Sequence, residues 1–199
     1  MILIMRSPFL SLFAGTRVIR LPAGGTIFLS GQAVGTMFLV LSGRAQLQRL
    51  SPNGARLILQ NAGPGAVLAE ASAYSERHHC DAMAVEPTTL APLPKPAFLT
   101  ALRQTSDLAE AWAAMLARSV QSARVRAEIR SLPKLADRLD AWFAEGNALP
   151  EKGQWQEVAA ELSVSREALY RELARRRAGA GHSRTENSRP SPNGNSTEA

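Results

Sequence analysis

Only one cysteine, Cys80, occurs in the 199 residues, so an intramolecular disulfide is impossible and a four-cysteine zinc or iron–sulfur site is excluded. Lysine is nearly as scarce: 20 of the 23 cationic residues are arginine. No hydrophobic run is long enough to span a bilayer. The apolar start, Met1 to Phe13, is broken by Arg6 and Pro8. No cationic n-region precedes it and no A-x-A-like cleavage site follows, so it does not read as a secretion signal. There is no P-loop, no metal-hydrolase motif and no nucleophile–base–orienter set. These absences lead to the expectation of a cytoplasmic, non-enzymatic protein with no membrane partner and no resident metal or cofactor.

What is present fits a folded chain of one or two domains, with 45% hydrophobic and 20% charged residues. The net charge is +6 and the sequence pI near 10.4, and arginine suits planar recognition of phosphate and guanine. Residues 1–14 read as a short helix or apolar cap. From Val18 to about Leu93, short apolar runs alternate with Gly, Pro, Asn and Ser, the pattern of a small barrel or roll rather than a parallel sheet. Ser51-Pro52-Asn53-Gly54 is a hairpin signal, and Ala45 to Leu50 alternates like a strand with one face in the core. Pro94-Lys95-Pro96 ends the strands, and a helical pattern follows from about Ala97 to Ser131, interrupted near Gln104 to Asp107. Leu108, Trp112, Met115, Leu116, Ser119, Ala123 and Arg126 form a stripe along it, facing either its own domain or a second copy.

Leu132-Pro133 opens a C-terminal segment in which Leu135, Leu139, Trp142 and Phe143 mark an apolar helical face. Trp155 to Arg177 then reads as a helix-turn-helix. Val158, Ala159 and Leu162 supply the inner face of its first helix, Leu169 and Leu173 that of its second, and Ser165 stands at the N-cap. Arg166, Glu167 and Tyr170 fall at the exposed start of the second helix, with Arg171 about one turn on. An arginine fork can bond guanine O6 and N7, and a glutamate can accept from cytosine N4, which makes Ser165, Arg166, Glu167, Tyr170 and Arg171 candidate DNA-binding residues. Ser163 occupies the turn position where glycine is common. After Arg177 the chain is polar and rich in Gly, Pro, Ser and Asn, and reads as a disordered tail.

The order of these parts resembles the Crp/Fnr family of bacterial transcription regulators over roughly residues 16–177. The resemblance rests on Gly31-Gln32, Phe38 to Gly43, Gly54 and Gly63-Pro64-Gly65 before Glu70, then on Ser165-Arg166-Glu167 with Arg171. It implies an α+β fold. The expected parts are a cyclic-nucleotide-binding-like β-roll effector domain (1–100), a long dimerisation helix (101–131), a helix-turn-helix domain (132–178) and a disordered tail (179–199). It further implies a homodimer joined along the long helix, favouring the dimer-seam reading of the stripe. The expected partners are double-stranded DNA, with pseudo-palindromic half-sites about 34 Å apart, and RNA polymerase. Effector binding in the roll would be coupled to the DNA-binding domains.

The chain departs from the family at two places. Cyclic-nucleotide-binding relatives carry Gly-Glu-Leu and, ten residues after the glutamate, Arg-Ser/Thr-Ala; here these are Ala69-Glu70-Ala71 and Cys80-Asp81-Ala82. Glu70 could still hold a ribose hydroxyl. The arginine expected on the cyclic phosphate is absent, and losing such a bond costs a few kcal/mol, on the order of a hundredfold in affinity. Cyclic AMP is therefore not the expected ligand. The candidate effector pocket comprises Glu70, His78, Cys80, Asp81 and Ala82, with Ala123 and Arg124 from the long helix. In a strand, His78 and Cys80 would share one face, open to a metal, haem or thiol-redox sensor; the plainer reading makes Cys80 a small buried hydrophobe. The second departure is the lack of any strand-like run for a β wing after Arg177. The triplet Arg175-Arg176-Arg177 either contacts phosphate or, the preferred reading, favours the helix C-terminus through its dipole. Two other classes compete with the regulator: a small-molecule, redox or metal sensor acting through protein partners with impaired DNA binding, and a cupin-like enzyme, which three histidines scarcely supply.

Overall fold

Turn residues divide the chain between Ile19 and Pro94 into short strands because each Gly or Pro cluster ends a run before it can lengthen. The computed structural model describes residues 7–50 and 56–186, and the chain divides into two compact units, 1–128 and 129–199. The first unit carries strands β1 (Ile19–Leu21), β2 (Thr26–Phe28), β3 (Thr36–Ser42), β4 (Ala45–Leu50), β5 (Arg56–Ala62), β6 (Val67–Leu68), β7 (Asp81–Ala84) and β8 (Thr88–Pro94). They form two four-stranded sheets, ordered β1-β8-β3-β6 and β2-β7-β4-β5, with every pairing antiparallel. The expected roll is thus present. The hairpin signal at Ser51 to Gly54 lies outside the described residues.

Alternation along β4 is less regular than its sequence. Ala45 and Leu47 are buried as expected, but Gln46 between them is buried too and its side-chain amide donates to Asn61 Oδ1 at 2.9 Å. Leu50 is exposed, because the β4–β7 pairing ends at Gln48 and the strand leaves the core beyond it.

Two apolar clusters fill this unit. One joins Phe28, Val40, Leu47, Leu68, Cys80 and Leu90 from both sheets. The other joins Phe9 and Phe13 of the N-terminal turns to Met37, Leu39, Phe98, Leu102 and Trp112. Phe98 lies in α1 (Lys95–Gln104), which starts with Pro96 in its first turn, where a missing N–H costs nothing. Extended backbone at Thr105 separates α1 from α2 (Ser106–Ser131), so the long helix starts at Ser106 rather than 101. Leu108, Ala111, Met115 and Leu116 of α2 pack against the second cluster. The first turns of the stripe are therefore covered by their own domain. Among the described residues no helix is long and apolar enough to cross a membrane.

The second unit begins in the last turn of α2 and contains α3 (Leu135–Ala144), α4 (Trp155–Glu161) and α5 (Arg166–Glu186). Leu139, Trp142, Trp155, Val158, Ala159, Leu162, Leu169 and Leu173 are its buried apolar residues, which are the inner faces that helical spacing selects. Arg138 donates to the carbonyls of Leu132 and Leu162 and Arg130 to that of Glu161, so cations satisfy carbonyls at the end of α4 and at the α2–α3 connection.

That turn ends α4 with paired bonds, Ser163 N–H to Ala160 O at 3.3 Å and Val164 N–H to Ala159 O at 2.9 Å, which require a left-handed residue between them. Ser163 takes that conformation at φ 55°. A side chain there costs about 1–2 kcal/mol, whereas glycine adds unfolded-chain freedom worth about 0.5–1 kcal/mol. Ser163→Gly should therefore stabilise the second unit by about 0.5–1 kcal/mol in urea denaturation.

Two expectations for the C-terminal end change. The tail expected to be disordered from Gly179 is helical to Glu186, since no proline occurs before Pro190 and each residue added to a formed helix gains a hydrogen bond. Residues 187–199 lie outside the described residues. The arginine triplet therefore does not sit at a helix C-terminus. Arg175 and Arg176 both bond the Glu172 carboxylate, Arg176 also pairs with Asp140 and donates to Ala136 O, and Arg177 lies over Trp155 with its guanidinium 5.0 Å from the ring centre. The triplet clamps α5 onto α3 and Trp155.

Hydrogen bonds from Arg175, then Arg176, hold the Glu172 carboxyl down to about 2 from an ordinary 4.5. A carboxylate depressed by folding contributes stability above its unfolded pKa and loses it as pH falls through the folded one. The second unit should lose stability between about pH 4.5 and 2 through this group. Glu172→Gln should remove that part of the acid dependence, read as a flatter plot of helix content against pH.

Candidate functional site

The first turn of α5 presents a capped, charged edge. Ser165 precedes the helix, and its hydroxyl accepts from Ala168 N–H at 3.2 Å while its carbonyl accepts from Leu169 N–H at 3.1 Å. Arg166, Glu167 and Arg171 are exposed, whereas Leu169 on the opposite side is fully buried. Burial of Leu169 and Leu173 thus fixes which way the three charges point. The Arg166 guanidinium lies 5.3 Å from the centre of the Tyr170 ring, which in turn lies 5.0 Å from that of Trp155. Tyr170 is half-buried between them and props Arg166. Glu167 sits below the ordinary carboxylate range, through its own backbone N–H first and the Ser165 hydroxyl next, then Arg166 and Arg171. It is an anion at neutral pH, able to accept from an amino group.

A cavity of about 460 Å³ lies in the first unit, between the roll and α2. Leu47 and Leu59 line it from the strands, Glu70 and Tyr74 from a short 3-10 helix, and Leu116, Ser119, Val120, Ala123 and Arg126 from α2, with His79 and Gln60 as further polar groups. Glu70 is 8% exposed; the Ser119 hydroxyl donates to its Oε1, and its Oε2 has no partner among protein atoms. Ala69, immediately before it, holds a left-handed conformation at φ 52°.

The effector residues expected from sequence divide. Glu70 and Ala123 line the cavity; His78, Cys80, Asp81, Ala82 and Arg124 do not. His78 is buried and stacks on Phe28 at 3.7 Å between ring centres, and burial lowers its pKa, with His79 and Lys95 adding to the effect. Cys80 is fully buried in the apolar cluster, and burial pushes its thiol up to about 11. That matches the plainer reading of Cys80 and opposes an easily formed thiolate. Asp81 Oδ1 accepts from Ser30 N–H at 2.7 Å, and Ala82 is core.

The face expected to reach the pocket turns to the core instead: His78, Cys80 and Ala82 are buried together, and the segment before β7 is held by the Ala33–Arg77 bridge and by backbone bonds from His78 N–H to Gln32 O and from Gly31 N–H to His78 O. His79 therefore reaches the cavity in place of His78. The neighbourhood of Cys80 also holds a cation that sequence order does not reveal: Arg49 of β4 donates through Nε and Nη2 to His79 O. Arg126 and Ser119 were readable as lining residues, since they continue the stripe whose earlier members pack on the roll.

Residues 18–105 match the cyclic nucleotide-binding domain family. The cyclic AMP receptor protein of Thermus thermophilus is 30% identical over 157 residues, covering 76% of this chain and 73% of that protein. Among solved structures, the fold is shared with the c-di-GMP-responsive global regulator CLP of Xanthomonas campestris, at a TM-score of 0.71 and 21% identity over 85% of this chain and 90% of that one. FixK2 of Bradyrhizobium japonicum gives a TM-score of 0.69 and 17% identity over 82% and 85% of the two chains. The roll, the long helix that follows it and this degree of identity lead to one conclusion: the chain belongs to the Crp/Fnr family of transcription regulators.

Proposed function

We propose that this regulator is a homodimer that binds DNA sequence-specifically, with α4 and α5 acting as a helix-turn-helix and α5 entering the major groove. The observation that carries this reading is the exposed Arg166–Glu167–Arg171 edge at the capped start of α5, set by the buried Leu169 and Leu173 behind it. Residues at that place in a second helix reach base edges. Arg166 and Arg171 are assigned to guanine, Glu167 to cytosine, and Ser165 and Tyr170 to support of that edge and to phosphate. Dimerisation through α2 would use faces other than Leu108, Trp112, Met115 and Leu116, which their own domain covers. RNA polymerase is the further partner of such a regulator, and no catalytic step is assigned.

The cavity beneath α2 is assigned to an effector, and cyclic AMP is not the one it suits. The position that carries the phosphate-binding arginine in relatives holds a fully buried thiol, and the nearby Arg49 guanidinium is engaged by a backbone carbonyl. One observation favours the rival reading, a sensor acting through protein partners: α5 runs on to Glu186, so the stretch directly after Arg177, where a β wing would begin, is helical. The two readings separate on Arg166→Ala. For a DNA reader this change costs about 1–3 kcal/mol of affinity and relaxes discrimination at one base pair per half-site. Competition among single-base variants of a bound duplex measures it; unchanged discrimination removes Arg166 from the readout.

A further inference from the structure

Resting on the reading of the cavity as an effector site, we infer that its ligand is an amphipathic small molecule with a hydrogen-bond donor head, ammonium or hydroxyl, and an apolar body, rather than a phosphate ester. The head belongs on Glu70. That carboxylate is 8% exposed, one oxygen is satisfied by Ser119, and the other has no partner, which is costly for a buried charged acceptor. A ligand donor would complete it with a charge-assisted bond, whereas an anion brought to the same place would face a like charge.

The walls beside Glu70 decide the rest. Leu47, Leu59, Leu116 and Val120 are aliphatic, and Val120 is half exposed. At about 460 Å³ the space falls within the range of small-molecule pockets, which bind through apolar walls and a few placed polar groups. The lining cation on α2, Arg126, has its Cα seven residues beyond that of Ser119, about 10 Å along the helix. It leaves an apolar stretch of that length between the two charged ends.

The test is calorimetric titration of the full chain with n-octylamine, n-octanol, octanoate and cyclic AMP. The inference expects saturable binding of the amine and the alcohol, with octanoate and cyclic AMP weaker by at least about tenfold. Glu70→Gln should weaken the amine by at least about tenfold. Val120→Trp, a change at a half-exposed position that fills the cavity mouth, should weaken amine and alcohol together while the thermal unfolding curve stays in place. Cyclic AMP or octanoate binding as tightly as the amine, an unchanged amine affinity in Glu70→Gln, or no saturable binding of amine and alcohol would each overturn it. Selection of DNA by the same preparation is read separately. Selected DNA without amine binding defeats this inference alone, and amine binding without selected DNA defeats the DNA reading alone.

Discussion

Gly43→Ala is expected to cost the roll about 2–5 kcal/mol, enough to leave much of the protein unfolded at moderate temperature. Gly43 joins β3 to β4 at φ +77°, and a Cβ added there would stand 2.3 Å from the Pro87 carbonyl oxygen and 2.7 Å from Thr88 Cα and Oγ1. Two penalties add. The left-handed backbone costs an alanine about 1–2 kcal/mol, and overpacking adds about 1–3 kcal/mol. The obstacle is mainly backbone, so no side-chain rotation relieves it. Thr88 is itself 2% exposed, with its hydroxyl 2.7 Å from Glu86 O and 3.1 Å from Arg44 O, so moving the β8 end would break bonds on both sides of the turn. Urea denaturation followed by circular dichroism measures the loss; a cost below about 1 kcal/mol would mean the turn yields more freely than this packing allows.

Phe98→Ala should cost about 3–5 kcal/mol, the range for emptying a buried aromatic site. Phe98 is fully buried, with ring centres 4.8 Å from Trp112 in an edge-on arrangement, 6.1 Å from Phe13 and 6.4 Å from Phe9. It thus joins the N-terminal turns, α1 and α2, and three aromatic neighbours cannot collapse into the space without leaving their own contacts. The same denaturation experiment, with Trp112 as one fluorescent reporter, reads the effect. A small loss would show that the N-terminal turns repack over α1.

The parts of this molecule that sequence revealed are those in which periodicity and packing agree. Leu169 and Leu173, four apart, had only one way to be buried together, and with them the direction of Arg166 and Arg171 was set. The roll was legible because its glycines and prolines end strands by local stereochemistry. Alternation alone did not say which face of the segment before β7 meets the cavity. His78 and Cys80 do share a face, but that face is buried in the core, and His79 on the other one lines the cavity. Arg49 was missed because its approach to His79 depends on β4 pairing with β7, a contact 30 residues apart in the chain. The arginine triplet was misread for a related reason: its partner Asp140 lies on another helix, and α5 does not stop where polar composition begins.

Selection of bound duplexes from a random-sequence pool by the wild-type protein tests the central claim most directly. The account predicts enrichment of a pseudo-palindrome whose half-sites are centred about 34 Å apart, with guanine–cytosine pairs at the positions assigned to Arg166, Glu167 and Arg171. A pool that stays random through successive rounds, with binding that falls with salt but never discriminates sequence, would contradict it.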